Sequence, residues 1–410
     1  MKRAVVFLLA LILVISISGV CFAASGSPKN VKIAAFANLT GGNAADGEYF
    51  QRAINIMVDR INNEGGIKSM GGAKLEIVYH DTMTDATMIK TVMEQGLADP
   101  DVAFAMGALG TTYTLAGIPA ISKAGVPIFT SAMSDSLDNQ NCEYLFLVAD
   151  YASALTKMTV DYIKFLGKEY GLNTQKIGVT FIDNEYSRSV ADNFQKLIQN
   201  EPDLKCVFYQ PYPPTVSDMS SIVTALKAAD AQILFLVPST QDAKLFAQTM
   251  KAMNYRPVVL GGSGTSTPVF GDEMGDDVRG ILIMAQAAFC QGNAMANPEW
   301  KWIFDQYAAK YPGFSGEVTT YHIAWMTIIK EVLEATGTID RETNLKAIRE
   351  MEFTVPQPTA GNKLKFNEKN RNKFASNIVS QWQYVEEYDR NIPVCVYPVE
   401  YAYAELQFSK

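Results

Sequence analysis

From Val31 to Ala285 short apolar runs alternate with longer stretches in which apolar residues recur every three or four positions. "VKIAAFA" (31–37) reads as a strand and ends in the polar, glycine-rich "NLTGGNAADG". Phe50, Ala53, Ile54, Met57 and Ile61 share one face of a helix predicted over Glu48–Asn63, which the glycines of "NNEGG" stop. "KLEIVYH", a helix through Ile89 and Val92 to Leu97, "VAFAMG", a helix through Ile118 to Lys123, and "VPIFTS" follow. The rhythm restarts after "CEYLFLVADY" with a helix over Ala152–Tyr170, then "KIGVTFID", a helix over Tyr186–Gln199, and "LKCVFYQ". A helix over Ser217–Ala229, "AQILFLV", a helix over Asp242–Met253, "PVVLGG" and "GILIMA" complete it. Strand-then-helix order predicts right-handed βαβ units around a parallel sheet. Two such series predict an α/β chain of two Rossmann-like lobes, each with its own core. Helices over Glu299–Tyr311 and Thr319–Thr336 and a tail of short strands complete the reading.

Ligands of open parallel sheets bind beyond the carboxyl ends of the strands. "NLTGG", "GALGTTYT" and "FTSAMSDS" fall there in the first series, "FIDNEYS", "VPSTQD" and "LGGSGTST" in the second. Two lobes facing each other across these edges would enclose a cleft with small, neutral, hydrogen-bonding walls. Helix N-termini there present free N–H groups and partial positive charge, which suits a carboxylate without an arginine. The plainer role of Ser or Thr before a helix is an N-cap, worth about 1 kcal/mol, and the two roles are compatible.

The 410 residues are 48% hydrophobic and 19% charged, the balance of a globular chain with sizeable cores. A net charge of −8 without a basic stripe argues against nucleic acid as a partner. Met1-Lys2-Arg3, the apolar run Ala4–Ile17 broken only by Ser16, and Cys21-Phe22-Ala23 have the layout of a secretory leader cleaved after Ala23. The run is short for a membrane span of about 20 residues, and Val20 is unfavourable before a lipidated Cys21. Residues 1–23 are therefore expected to be removed, leaving a soluble extracytoplasmic protein. Cys142, Cys206, Cys290 and Cys395 remain, with no zinc-like spacing; one bridge or buried free thiols both fit.

Catalytic constellations are missing. The two histidines are His80, at a strand end, and His322, inside a predicted helix, and both read as isolated. "GGSGT" lacks the glycine two residues after Ser263 that a nucleophile elbow requires, and no P-loop lysine or G-x-G-x-x-G is present. Asp183 and Glu185, paired near a helix start, read first as helix-dipole partners. No cofactor and no enzymatic activity are expected.

These features converge on a family. "VKIAAFANLTGGNAADGEYFQRAINIMVDRINNEGGI", "AKLEIVYHDTMTD", "MGALGTTYTLAGIPAISKAGVPIFTSAMSD", "IGVTFIDNEYSRS" and "YPVEYAYAEL" resemble the periplasmic solute-binding proteins of branched-chain amino-acid ABC transporters. The resemblance spans nearly all of the mature chain. It implies the type I periplasmic binding fold, with three hinge crossovers near Leu147–Asp150, Met284–Gln286 and Asn362–Phe366. One lobe would then hold residues 30–147 and 286–362, the other 148–285 and 363–410. It implies a monomer that closes over a small carboxylate-bearing solute and delivers it to ABC permease subunits. A sensor presenting the same solute to a membrane receptor is the alternative.

By the same resemblance a carboxylate-binding hydroxyl falls on Thr111, with Thr112 beside it, and a second on Ser134, with backbone groups at Ala132 and Met133. A tyrosine of the second lobe falls on Tyr186. The acid that holds a ligand ammonium falls on Ser263, which cannot neutralise a charge. Asp46, standing where the family places an aromatic, and Asp183 are the candidate substitutes. An amino acid held by one of them and an ammonium-free organic or aromatic acid therefore both remain open. Ser187 replaces a usual glycine, and a disulfide pair of some members falls on Met83 and Gly110, so that bridge is absent.

Overall fold

The computed structural model describes residues 30–286, 297–311, 316–355 and 362–408; the leader and Cys290 lie outside them. The first lobe runs β1 (Asn30–Ala37), α1 (Ala44–Asn63), β2 (Lys74–Asp81), α2 (Ile89–Leu97), β3 (Val102–Gly107), α3 (Thr111–Ala124), β4 (Ile128–Thr130) and β5 (Leu145–Leu147). Its sheet is all-parallel in the order β2-β1-β3-β4-β5. β3 is buried along its whole length, which is why it reads as an unbroken apolar run. Phe50, Ala53, Ile54, Met57 and Ile61 all point into the core from α1. This helix begins at Ala44, four residues before the expected Glu48. Its first turn presses on the end of β1 at Gly47, where a Cβ would sit 2.1 Å from the Asn38 carbonyl oxygen.

The second lobe runs α4 (Ala152–Tyr170), β6 (Lys176–Ile182), α5 (Glu185–Ile198), β7 (Lys205–Tyr212), α6 (Ser220–Ala228), β8 (Ile233–Val237), α7 (Thr240–Ala252), β9 (Val258–Gly261), α8 (Pro268–Met274) and β10 (Leu282–Ala285). The chain then returns to the first lobe with α9 (Pro298–Lys310), α10 (Gly316–Thr336) and α11 (Arg341–Glu350), α10 packing on α1. A small ribbon pairs β11 (Phe353–Thr354) with β12 (Lys363–Leu364). Finally β13 (Ile378–Val385) and β14 (Arg390–Tyr397) add an antiparallel hairpin to β10, giving the order β14-β13-β10-β9-β8-β6-β7. The tail is thus longer-stranded than expected, and α8 and α11 are additional. α8 has only seven residues, and α11 buries only Asn344, Leu345 and Ile348, so neither shows a full apolar stripe.

Two of the expected crossover segments, Leu147–Asp150 and Met284–Gln286, are hydrogen-bonded to each other. The Gln286 side chain accepts from the Asp150 N–H at 2.7 Å and donates to the Asp150 carbonyl at 3.3 Å. Leu147 donates to the Asn370 carbonyl and accepts from the Asn372 N–H, both at 2.9 Å. The third segment therefore runs beside the first well past Phe366 before β13 begins at Ile378.

Candidate functional site

Contacts between segments that follow strand ends join the lobes across the cleft. The Tyr49 hydroxyl of α1 accepts from the Val269 N–H of α8 at 3.3 Å. Ser134, after β4, lies with its Oγ 3.5 Å from Ser189 Oγ of α5, and Ser136 donates to Glu185 at 3.4 Å. The two carboxyl edges thus face each other, as parallel-sheet physics demands of a ligand cleft.

The α3 N-terminus is the distinctive point of this face. Gly107, Ala108 and Gly110 adopt φ of 105°, 53° and 98°, turning the chain sharply from β3 into the helix. Gly110 takes the N-cap position and has no side chain to offer, so the first-turn N–H groups of Thr111, Thr112 and Tyr113 have no acceptor among the described residues. Thr111 is 1% exposed, and its hydroxyl has no partner either. Thr112 is half-buried. Thr114, by contrast, lies with its Oγ1 2.8 Å from the Ala108 carbonyl and 3.1 Å from Thr130 Oγ1, and belongs to the scaffold. Tyr113 donates to the Thr84 carbonyl at 3.3 Å.

Ser134 is buried, and its hydroxyl accepts from Ser136 N–H at 3.3 Å, capping a short turn over Asp135–Gln140. Ala132 and Met133 beside it are buried. The loop is pinned by Arg371, itself 1% exposed, whose Nη2 donates to the Ser134 carbonyl at 2.7 Å while its Nε binds Asp138 at 2.5 Å. The guanidinium stacks 4.0 Å over the Tyr151 ring, and the Tyr151 hydroxyl donates to the other Asp138 oxygen at 2.7 Å. Neither Arg371 nor Tyr49 carried a signal in the sequence. Arg371 stands between two asparagines, away from the motifs that mark the rim, and Tyr49 is not among the apolar positions that predict the helix.

Tyr186 lies half-buried in the first turn of α5, packed on the main core. Asp183, just before it, is exposed and paired with Arg188. Ser263 opens a short turn, Ser263–Thr265, after β9. Asp46, in the first turn of α1, is half-buried, and burial raises its carboxyl pKa to about 6. Thr111, Thr112, Asp46, Ser134 and Tyr186 thus stand on segments of the facing edges, whereas Asp183 is engaged with a neighbouring cation.

The remaining chemistry-bearing residues have structural surroundings. His80 stacks on Phe36 at 5.2 Å, and His322 sits edge-on to Phe50 at 4.8 Å, its pKa lowered by burial to about 3. Cys142, Cys206 and Cys395 are free thiols. Among the described residues no three His, Cys, Asp or Glu side chains gather as a metal ion requires, and no helix is long and apolar enough to cross a membrane. A recess of about 570 Å³ opens between α1, α9 and α10, but Arg60, Glu299 and Lys330 line it and none of the expected ligand residues does.

Residues 30–382 match the family described as periplasmic binding protein. A Leu/Ile/Val-binding protein homolog of Brucella abortus is 27% identical, the alignment covering 93% of this chain and 94% of the relative. The branched-chain amino acid transporter substrate binding protein of Streptococcus pneumoniae, solved with isoleucine, superposes with a TM-score of 0.72 at 18% identity, over 89% of this chain and 99% of that one. A solute binding protein from R. palustris, solved with 4-hydroxybenzoate, superposes with a TM-score of 0.74 at 19% identity, over 89% of this chain and 95% of that one. With the match spanning both lobes, this chain belongs to the periplasmic binding protein family.

Proposed function

We propose that this protein is the exported, non-enzymatic solute-binding component of an ABC importer. It captures a small carboxylate-bearing solute between its lobes as a monomer and hands it to the permease. The observation that carries the reading is the unpartnered, buried Thr111 hydroxyl beside the uncapped N–H groups of α3. A carboxylate would satisfy all of these donors and meet the positive end of the helix. Ser134 and Tyr186 supply further walls, from the first and second lobe respectively. The names of the Brucella relative and the two ligand-bound neighbours support amino acids and aromatic acids as the solutes to try. The lobe boundaries at 147/148, 285/286 and 362/363 and the leader at residues 1–23 belong to the same reading.

The test is a thermal-shift screen of the secreted, mature protein against amino acids and organic acids. A ligand that binds only the folded form raises Tm, by about 2.7 kcal/mol of stability at a hundredfold excess over Kd. Stabilisation by carboxylates and not by their methyl esters is expected. Esters that stabilise equally well would exclude the α3 carboxylate site.

A further inference from the structure

We infer that the cleft opens at one end only: the lobes part between α1 and α8, where solute enters, and turn about a fixed pivot that holds the Ser134 loop to the start of α4. This rests on the two-lobe binding reading above.

The two ends offer a matched comparison, because at each a first-lobe side chain takes the N–H of the second residue of a second-lobe helix. At α4 that residue is Ser153, whose N–H donates to one Asp135 carboxylate oxygen at 3.1 Å while its hydroxyl donates to the other. Ala152, the first residue, donates to the Met133 carbonyl at 2.9 Å. Tyr151 at the N-cap makes no side-chain capping bond, so the Ser134 loop caps α4 from the other lobe. Arg371 of the third crossover joins the same knot. Its guanidinium donates to the Ser134 carbonyl and to Asp138 and lies over the Tyr151 ring, whose hydroxyl also donates to Asp138. Asn377 fastens the third crossover to the first, donating to the Asp150 carboxylate at 2.6 Å.

At α8 the second residue is Val269, and its N–H donates to the Tyr49 hydroxyl at 3.3 Å. The rest of that first turn is complete within its own lobe. Pro268 has no N–H, and Thr267 accepts from Phe270 at 3.3 Å through its hydroxyl and from Gly271 at 3.2 Å through its carbonyl. Parting here gives up one neutral hydrogen bond, which water replaces with little net loss. Parting the loop from α4 and the crossovers would break charge-assisted bonds to two carboxylates. It would also strip Arg371, 1% exposed, of the acceptors that a buried cation needs. Rotation takes the route that breaks least, so the Ser134 loop stays against α4 in both states while α1 swings away from α8.

Spin-label distances in the ligand-free mature protein, its accessible native cysteines replaced by serine, test this. Glu48→Cys on α1 with Asp272→Cys on α8 spans the Tyr49 end, and Gln140→Cys with Lys157→Cys spans the pivot, all four positions being exposed. The first pair is expected to show a second, longer population and the pivot pair a single one. Tyr49→Phe, which keeps the buried ring, should raise the ratio of longer to shorter at the first pair about fivefold, the equivalent of one net hydrogen bond, and leave the pivot pair unchanged. Amide exchange on the unlabelled protein is the second measurement: protection at Ala152 and Ser153 should exceed that at Val269 by about tenfold or more. A single population at the first pair, two at the pivot pair, a ratio indifferent to Tyr49→Phe, or equal protection at Val269 and Ser153 would overturn the inference. No solute enters these measurements, so the solute-binding reading is judged separately, by the thermal-shift screen.

Discussion

On the second lobe's rim Ser239 caps α7 by accepting from the Asp242 N–H at 3.3 Å, while Asp242 accepts in return from the Ser239 N–H. Thr267 caps α8 in the same manner, accepting from the Phe270 N–H at 3.3 Å. On the first lobe's rim α3 begins behind a glycine, Thr111 has no partner, and Asp46 leaves its helix start to Thr84. The two edges use the same side-chain types, yet the helix starts of the second are capped by their own side chains, whereas Thr111 and Asp46 of the first are left without partners among the described residues. A capped helix end gains stability and loses its power to bind. Under the proposed function, the first lobe supplies recognition and the second a rigid opposing wall.

The largest expected effect concerns Asp46. Its pKa is raised from the ordinary carboxylate value to about 6 by burial, so the folded protein holds the proton more tightly than the unfolded chain does. Folding stability from this group therefore increases as pH falls from above 6 towards 4, and at pH 7 the ionised carboxyl is a liability. Asp46→Asn should raise the Tm of the ligand-free protein at pH 7 and leave it unchanged at pH 4. For an amino-acid ligand held by Asp46, binding runs the other way, because an ammonium pairs with the ionised form. Affinity for a zwitterion should fall about a hundredfold between pH 7 and pH 4 in the native protein, and stay flat in the Asn variant. Tyr49 and Tyr113, the titratable groups that interact with Asp46, have raised pKa values and stay neutral across this range. A flat native profile would remove Asp46 from the cleft's binding surface.

Next in size is Asp242→Ala, aimed at the spent edge. Asp242 is 4% exposed and also lies within 3.4 Å of the buried Tyr212 hydroxyl. Removing it leaves the Ser239 N–H and the Tyr212 hydroxyl without their acceptor, a loss of about 2 kcal/mol of stability measured by urea denaturation. Ligand affinity should not change. The reverse pattern is expected at the open edge. Thr111→Val should weaken a carboxylate ligand by about 1–2 kcal/mol in calorimetry, with no loss of Tm in the ligand-free protein, since its hydroxyl bonds to nothing there. If Thr111→Val lowered Tm and Asp242→Ala lowered affinity, the division of labour between the edges would be inverted.

Most of the fold was legible because periodicity reports burial. The α4 reading, Ala152–Tyr170, coincides with the helix, and β1 and β2 match their apolar runs to within one residue. What escaped was decided by neighbours far along the chain. α11 packs through three residues, and β13 and β14 gain their length from pairing with β10 and each other. The site shows the same division. "GTTYT" at a strand end is visible as a rim, but that Thr114 turns back to Ala108 while Thr111 does not depends on the three positive φ angles before them. Likewise Asp46 and Asp183 are equivalent as letters, and only the arrangement of Thr84 and Arg188 separates them.

That separation yields the smallest effect and a sharp control. Asp183 and Arg188 are both exposed, and an ion pair open to water gains little after the cost of side-chain entropy and screening. Asp183→Asn should shift Tm by less than about 2 °C and leave zwitterion affinity where it was. It also frees Arg188 on the second lobe's rim, close to where Glu185 reaches Ser136 across the cleft. Any effect on binding should therefore take the form of altered salt dependence rather than a lost amine preference. If instead Asp183→Asn abolished discrimination between amino acids and their amine-free partners, the ammonium would belong to the second lobe, and the contrast between a spent rim and an open one would fail.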